Sequence, residues 1–173
     1  MASWFAMKVF FNKVFEIERY FQDNAIECYV PVQYEEKVVK GKQLRVRKPA
    51  VSSLIFLRID EDRIQHIENE LAQRVILYRY RQSRQPAKIP DREMEVFQMV
   101  TSVEGGNWDY VDADSLQFSA NERVRVVDGD FKGAEGYIKR IKGNRRLVVA
   151  IEGIVAVATT YIPSCFLEKI SLK

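Results

Sequence analysis

With 173 residues, the chain is long enough for one ordinary domain or two small ones. Hydrophobic residues make up 47% and charged residues 29%, so a packed core is expected and global disorder is excluded. The net charge is only +3 and uneven: 10 basic residues stand against 6 acidic ones from Ser119 onward, and 17 against 18 before it. That is too little for a bulk nucleic-acid coat, so any such contact must come from local patches.

No apolar run approaches the roughly 20 residues that span a bilayer. Met1 to Phe5 lacks the basic region and long apolar stretch of a signal peptide. The two cysteines, Cys28 and Cys165, sit in apolar segments and read as buried structural thiols, not as a disulfide or metal site. A soluble cytoplasmic monomer without membrane contact is expected.

Trp4 to Phe11 is aromatic and apolar nearly throughout, as expected of a central strand. Asn12 offers an N-cap, and Val14, Phe15, Ile17, Tyr20 and Phe21 recur at helical spacing. Ile26 to Val32 predicts a second strand interrupted at Pro31. Tyr34 to Val39 and Gln43 to Val51 form a hairpin candidate around Lys40-Gly41-Lys42. Lys37, Lys40, Lys42, Arg45, Arg47 and Lys48 put six cations in twelve residues, either a solvated hairpin or a salt-sensitive nucleic-acid grip.

Ser53 to Ile59 predicts a strong strand, Asp60-Glu61-Asp62 an acidic first helical turn, and Ile64, Ile67 and Leu71 the apolar stripe that follows. Arg74 to Arg81 reads as a strand with basic and aromatic residues interleaved, and Pro90-Asp91 begins a third helix through Met99. Together these elements predict an α+β sandwich, with helices on a largely antiparallel sheet, over residues 1–103. Residues 104–118, rich in Gly and Asp and without periodicity, read as a linker.

From residue 119 to 173 the pattern changes to short β-branched strands. Val124 and Val126 alternate with Arg123 and Arg125, Asp128-Gly129-Asp130 supplies turn chemistry, and Tyr137, Ile138 and Ile141 resume an extended run after Gly133 and Gly136. A glycine opening a strand marks a bulge or a close approach of two backbones. Arg146 to Ile151, Ile154 to Thr160 and Phe166 to Ile170 complete five strands, which suit a small SH3-like barrel. The run from Val126 to Gly136 resembles the KOW motif of transcription and ribosomal proteins, with Gly129, Gly133 and Gly136 as its structural glycines.

Ser3-Trp4-Phe5, a helix, Tyr29-Val30-Pro31, the basic hairpin, Ile55-Phe56-Leu57, Ile89-Pro90-Asp91 and then the KOW stretch occur in that order. This arrangement resembles the NusG family of transcription elongation factors over essentially the whole chain. It is most similar to specialised paralogues such as RfaH-like and capsule-locus antiterminators. The resemblance implies an N-terminal domain that grips RNA polymerase and a KOW domain that recruits a ribosomal protein or Rho. It further implies an apolar docking patch at Phe5, Val51, Leu54 and Phe56, and a second polymerase contact at Gln65, His66 and Ile67. Lys8, Lys13, Arg19 and Arg74 fall where specialised members read non-template DNA, nascent RNA being the other candidate strand. Phe131 and Ile154 fall near the partner-binding loops of the barrel.

One departure stands out. Where the family usually has Phe-Pro-Gly-Tyr before the apolar strand, this chain has Val51-Ser52-Ser53-Leu54, an aliphatic substitute that favours a dedicated paralogue over a housekeeping factor. The β-branched runs Leu147 to Ile151 and Ile154 to Thr160 predict a barrel that is constitutively β, not a helical hairpin. The other readings are a ribosome-associated RNA-binding KOW protein and a metal-dependent nuclease built on Asp128/Asp130 or Asp112/Asp114. The long N-terminal α+β segment speaks against the first. Against the second, those acids lie in a turn and a linker, and no nucleophile elbow, phosphate loop or zinc spacing is present. A non-enzyme without metal or cofactor is expected, and the lone His66 cannot build a triad.

Overall fold

The computed structural model describes residues 1–102, 108–111, 123–151 and 153–170. Two compact units divide the chain, Met1–Asp91 and Arg92–Lys173.

In the first unit, β1 (Ala2–Val9) runs along the middle of a four-stranded antiparallel sheet with β2 (Glu27–Tyr29), β5 (Leu54–Asp60) and β6 (Val75–Leu77). The order is β2-β5-β1-β6. Helices α1 (Val14–Asp23) and α2 (Glu61–Glu70) supply Val14, Ile17, Phe21, Ile64 and Ile67 to one core with Phe5, Met7 and Val9 of β1 and Ile55, Leu57 and Ile59 of β5. This is the period-two face of each strand meeting the apolar stripe of each helix.

The basic hairpin forms as a separate two-stranded ribbon, β3 (Val32–Val39) and β4 (Lys42–Pro49). Its two-residue turn places Lys40 and Gly41 at φ 51° and 75°, the left-handed pair that matches the twist of a hairpin.

Two local expectations are corrected. Asn12 does not cap α1: it sits at φ 55° in the turn, and Lys13 takes the capping position with no side-chain bond. Asn is among the residues that best tolerate this left-handed region. The strand expected from Arg74 to Arg81 is only three residues long, continued by an isolated bridge between Arg79 and Pro86.

In the second unit the strands expected for the barrel appear as β8 (Arg123–Val126), β9 (Glu135–Ile141), β10 (Asn144–Ile151), β11 (Val155–Tyr161) and β12 (Leu167–Lys169). A further strand, β7 (Trp108–Val111), comes from inside the stretch read as linker and pairs with β11. The sheet order is β12-β8-β9-β10-β11-β7, consistent with an SH3-like KOW domain. Trp108, which opens β7, is buried. The third helix, α3 (Asp91–Thr101), groups almost entirely with this unit by its contacts. The link is polar as well as apolar: the Arg92 guanidinium donates to the Gly133 carbonyl at 3.0 Å.

Gly136 shows why the KOW pattern needs glycine there. A Cβ at this position would lie 2.4 Å from the Val148 carbonyl oxygen across the β9–β10 pair. Gly129 has φ +84°, and its N–H donates to the Asp128 carboxylate at 2.8 Å, the local turn bond expected of Asp.

Candidate functional site

Register separates the residues of the implied docking patch. Residues paired directly across two strands share a face of the sheet. Phe5 pairs with Leu57 and belongs to the helix-side core, so it cannot contribute to an outer surface. Leu54 pairs with Lys8, and Phe56 with Ala6, on the opposite face. Leu54 and Phe56 are both buried, and only Val51, half-buried in the preceding turn, is accessible. A Leu54→Asp variant would therefore test folding before it tested docking. Binding through Leu54 or Phe56 requires that this face be exposed first.

On α2 the three implied contacts diverge by helical phase. Ile67 points into the core, whereas Gln65 and His66 are exposed. Gln65 is fixed by its neighbours: its amide donates to Glu68 at 2.9 Å, and its carbonyl accepts from Arg79 at 2.9 Å. The His66 ring lies 3.9 Å from the Glu70 carboxylate.

Three of the four implied nucleic-acid cations gather at one end of the sheet. Lys8 pairs with Leu54 on one side and Ile76 on the other. The Phe10 N–H donates to the Arg74 carbonyl at 2.9 Å, and the Lys13 N–H reaches the Phe10 carbonyl at 3.3 Å. Lys8 lies over the Phe10 ring at 5.9 Å, and Lys13 forms an ion pair with Glu16. Arg19, further along α1, is exposed but joined to them by no described contact. Sequence reading missed two apolar members of this neighbourhood, Phe11 at 80% exposure and Ile76 at 53%. Phe11 adopts φ 60°, so the turn holds its ring out at a position where an aromatic residue is uncommon.

The hairpin cations are mostly committed within the first unit. Arg47 donates both arms of its guanidinium to Glu18 at 2.8 and 2.7 Å and stacks on Phe15 at 4.5 Å. Arg45 stacks on Tyr34 at 4.2 Å, and Lys48 and Lys37 both pair with Glu35. Among the described residues, Lys40 and Lys42 are in no ion pair, so the ribbon is anchored at its base and cationic at its tip.

Within the second unit Glu135 is the focus of charge. Burial raises its pKa, but the hydrogen bond from Arg125 and the charges of Arg125, Arg92 and Arg123 outweigh this and hold it below its ordinary value of 4.5. Of the two barrel residues implied to meet a partner, Phe131 is buried and Ile154 half-buried. The thiols also differ from expectation. Cys165 is exposed, and Cys28 is half-buried with its pKa pushed to about 11 by burial and the Glu18 charge. Asp112 and Asp114 lie outside the described residues, and among those described no three His, Cys, Asp or Glu side chains group as metal ligands. No described helix is long and apolar enough to cross a membrane.

A four-stranded antiparallel sheet carrying two helices and a basic ribbon, followed by a small antiparallel β-unit, defines a two-unit α+β protein. The family described as "Transcription termination factor nusG" matches residues 2–98. The chain belongs to the NusG family, which places it among transcription elongation and termination factors. Among solved structures, one titled "Domain interaction in Thermotoga maritima NusG" is similar at a TM-score of 0.51 and 15% identity, covering 99% of this chain and 98% of that one. That likeness shows the two-unit fold. No curated protein sequence matches significantly.

Proposed function

We propose that this protein is a specialised NusG-type elongation and antitermination factor. It grips RNA polymerase through its first unit and recruits a second partner, a ribosomal protein or Rho, through the KOW unit. It acts by binding, without catalysis, in the cytoplasm. Family membership over residues 2–98 is the observation that carries this reading. The sheet face bearing Leu54 and Phe56 is buried, with only Val51 accessible at its edge, and once exposed it offers apolar side chains of the kind a helical partner covers. Gln65 and His66 provide a second, polar contact on α2.

The cluster of Lys8, Lys13 and Arg74 suits the phosphates of the exposed non-template strand, with Phe11 available for a base. The test is titration of the intact chain against core RNA polymerase. Val51→Asp is expected to weaken binding at least tenfold, since it places a charge at an apolar contact without entering the core. Equal affinity of variant and wild type would remove this face from the interface.

A further inference from the structure

We propose that Arg79 is a positioning residue: it presets the Gln65 amide on α2 so that this side chain meets polymerase as a hydrogen-bond acceptor. The inference rests on the polymerase-binding reading and specifies the chemistry of its polar contact. Arg79 lies just past β6, 14 residues beyond Gln65 in the chain. Its Nη2 donates to the Gln65 carbonyl oxygen at 2.9 Å and also to Glu68 Oε2. Gln65 Nε2 closes the ring by donating to the same Glu68 oxygen at 2.9 Å. Glu68 is itself held, because its Oε1 accepts from the Leu77 N–H at 2.9 Å. The other guanidinium arm of Arg79, Nη1, reaches the Arg84 carbonyl at 3.3 Å. Arg79 thus joins α2 to β6 and to the loop that follows it.

Stability does not require the Gln65 side of this ring. Arg79 and Glu68 are half-buried, and a pair withdrawn from water needs its hydrogen bonds. Gln65 is exposed, where water satisfies an amide about as well as protein does. What the ring changes is freedom. Glutamine is among the side chains that lose most rotamer entropy when fixed, and that loss opposes binding unless it has already occurred. Here Gln65 is set before any partner arrives.

The ring also decides which end of the amide is left over. Nε2 carries two hydrogens; one goes to Glu68 and the other to Asn69 Oδ1 at 3.2 Å. The carbonyl oxygen has two lone pairs, and Arg79 takes one. A partner therefore finds a single acceptor, and the matching group on polymerase is an N–H or O–H donor. His66, the next residue on α2, sits beside Glu70 and takes no part in the ring.

The experiment combines side-chain NMR of the intact chain, isotopically labelled at glutamine, with titration against core RNA polymerase. Arg79→Lys keeps a charge opposite Glu68 but lacks the planar fork that holds Gln65 as well. In wild type the Gln65 amide signals, assigned by their loss in Gln65→Ala, should show restricted motion. In Arg79→Lys they should show the mobility of a free glutamine, with the melting temperature within about 2 °C of wild type. Polymerase affinity should fall about fivefold in Arg79→Lys and in Gln65→Ala, and no further in the double variant. Gln65→Glu, which keeps its acceptors, should bind more tightly than Gln65→Met, an isostere with only a weak thioether acceptor. A rigid Gln65 in Arg79→Lys, additive losses, unchanged affinity in either single variant, or the reverse order of Gln65→Glu and Gln65→Met would each overturn the inference. Wild type that fails to bind polymerase would sink the elongation reading and this inference together, whereas wild-type binding with Gln65→Ala unaffected sinks this inference alone.

Discussion

Removing Arg47 should loosen the basic ribbon from the rest of the first unit. A two-stranded ribbon without a third strand is marginal in water, so β3–β4 depends on what holds its base. Arg47 makes a bidentate bond to Glu18, whose side chain is only 12% exposed, while Arg47 itself is 41% exposed. Breaking a fully buried pair costs about 3–5 kcal/mol, and an exposed pair is worth about 0.2–1 kcal/mol. The intermediate burial, together with loss of the stack on Phe15, places Arg47→Ala at about 2 kcal/mol. Because the chain has two units, a single global unfolding free energy is a poor readout. Amide exchange in β3 and β4 reports the local opening directly. About 2 kcal/mol corresponds to nearly thirtyfold faster exchange there, at 1.4 kcal/mol per factor of ten, with β1 and β5 little changed. Glu18→Gln should have a smaller effect, and the two changes should be non-additive because each removes the same pair. Ribbon exchange that stays within threefold of wild type in Arg47→Ala would refute the anchor.

Gly136→Ala should destabilise the second unit by at least about 1–3 kcal/mol, since its Cβ meets backbone, not a movable side chain; an unchanged melting transition of that unit would contradict this. Glu135 has its folded pKa held below 4.5, so its stabilisation is complete above that value and is lost as pH falls through the lower folded pKa. The melting-temperature gap between wild type and Glu135→Gln should therefore narrow as pH falls below 4.5, and a gap that stays constant as the solution is acidified would show no linkage. With its pKa pushed to about 11, Cys28 holds little thiolate at pH 8, so maleimide should modify exposed Cys165 first; equal rates in mass-spectrometric mapping would refute the burial assigned to Cys28.

The alternating strands and helical stripes of the first unit were legible because one period serves one face: Phe5, Met7 and Val9 face the helices as their spacing demands. What period alone does not supply is which outer residues are covered. Leu54 and Phe56 lie on the face away from the helices and are nevertheless buried, a property set by tertiary packing. Strand β7 was hidden because four residues, Trp108 to Val111, sit among Gly and Asp, and only their pairing with β11 makes them a strand. Gly136 could be read from its place at the mouth of a strand, since a close backbone approach admits no other residue. The ring of Arg79, Gln65 and Glu68 was not legible, as it depends on how the end of β6 passes α2. The clustering of Lys8, Lys13 and Arg74 came from family resemblance, and the exposed ring of Phe11 beside them came only from the turn geometry.

The most direct test of the account is promoter-initiated transcription by the organism's own RNA polymerase holoenzyme through a pause and an intrinsic terminator, with and without the intact protein. The account predicts that the protein remains bound to the elongation complex and changes pausing and read-through, and that Val51→Asp abolishes both effects. Identical pausing and read-through with and without the protein, and no retention on the complex, would contradict it.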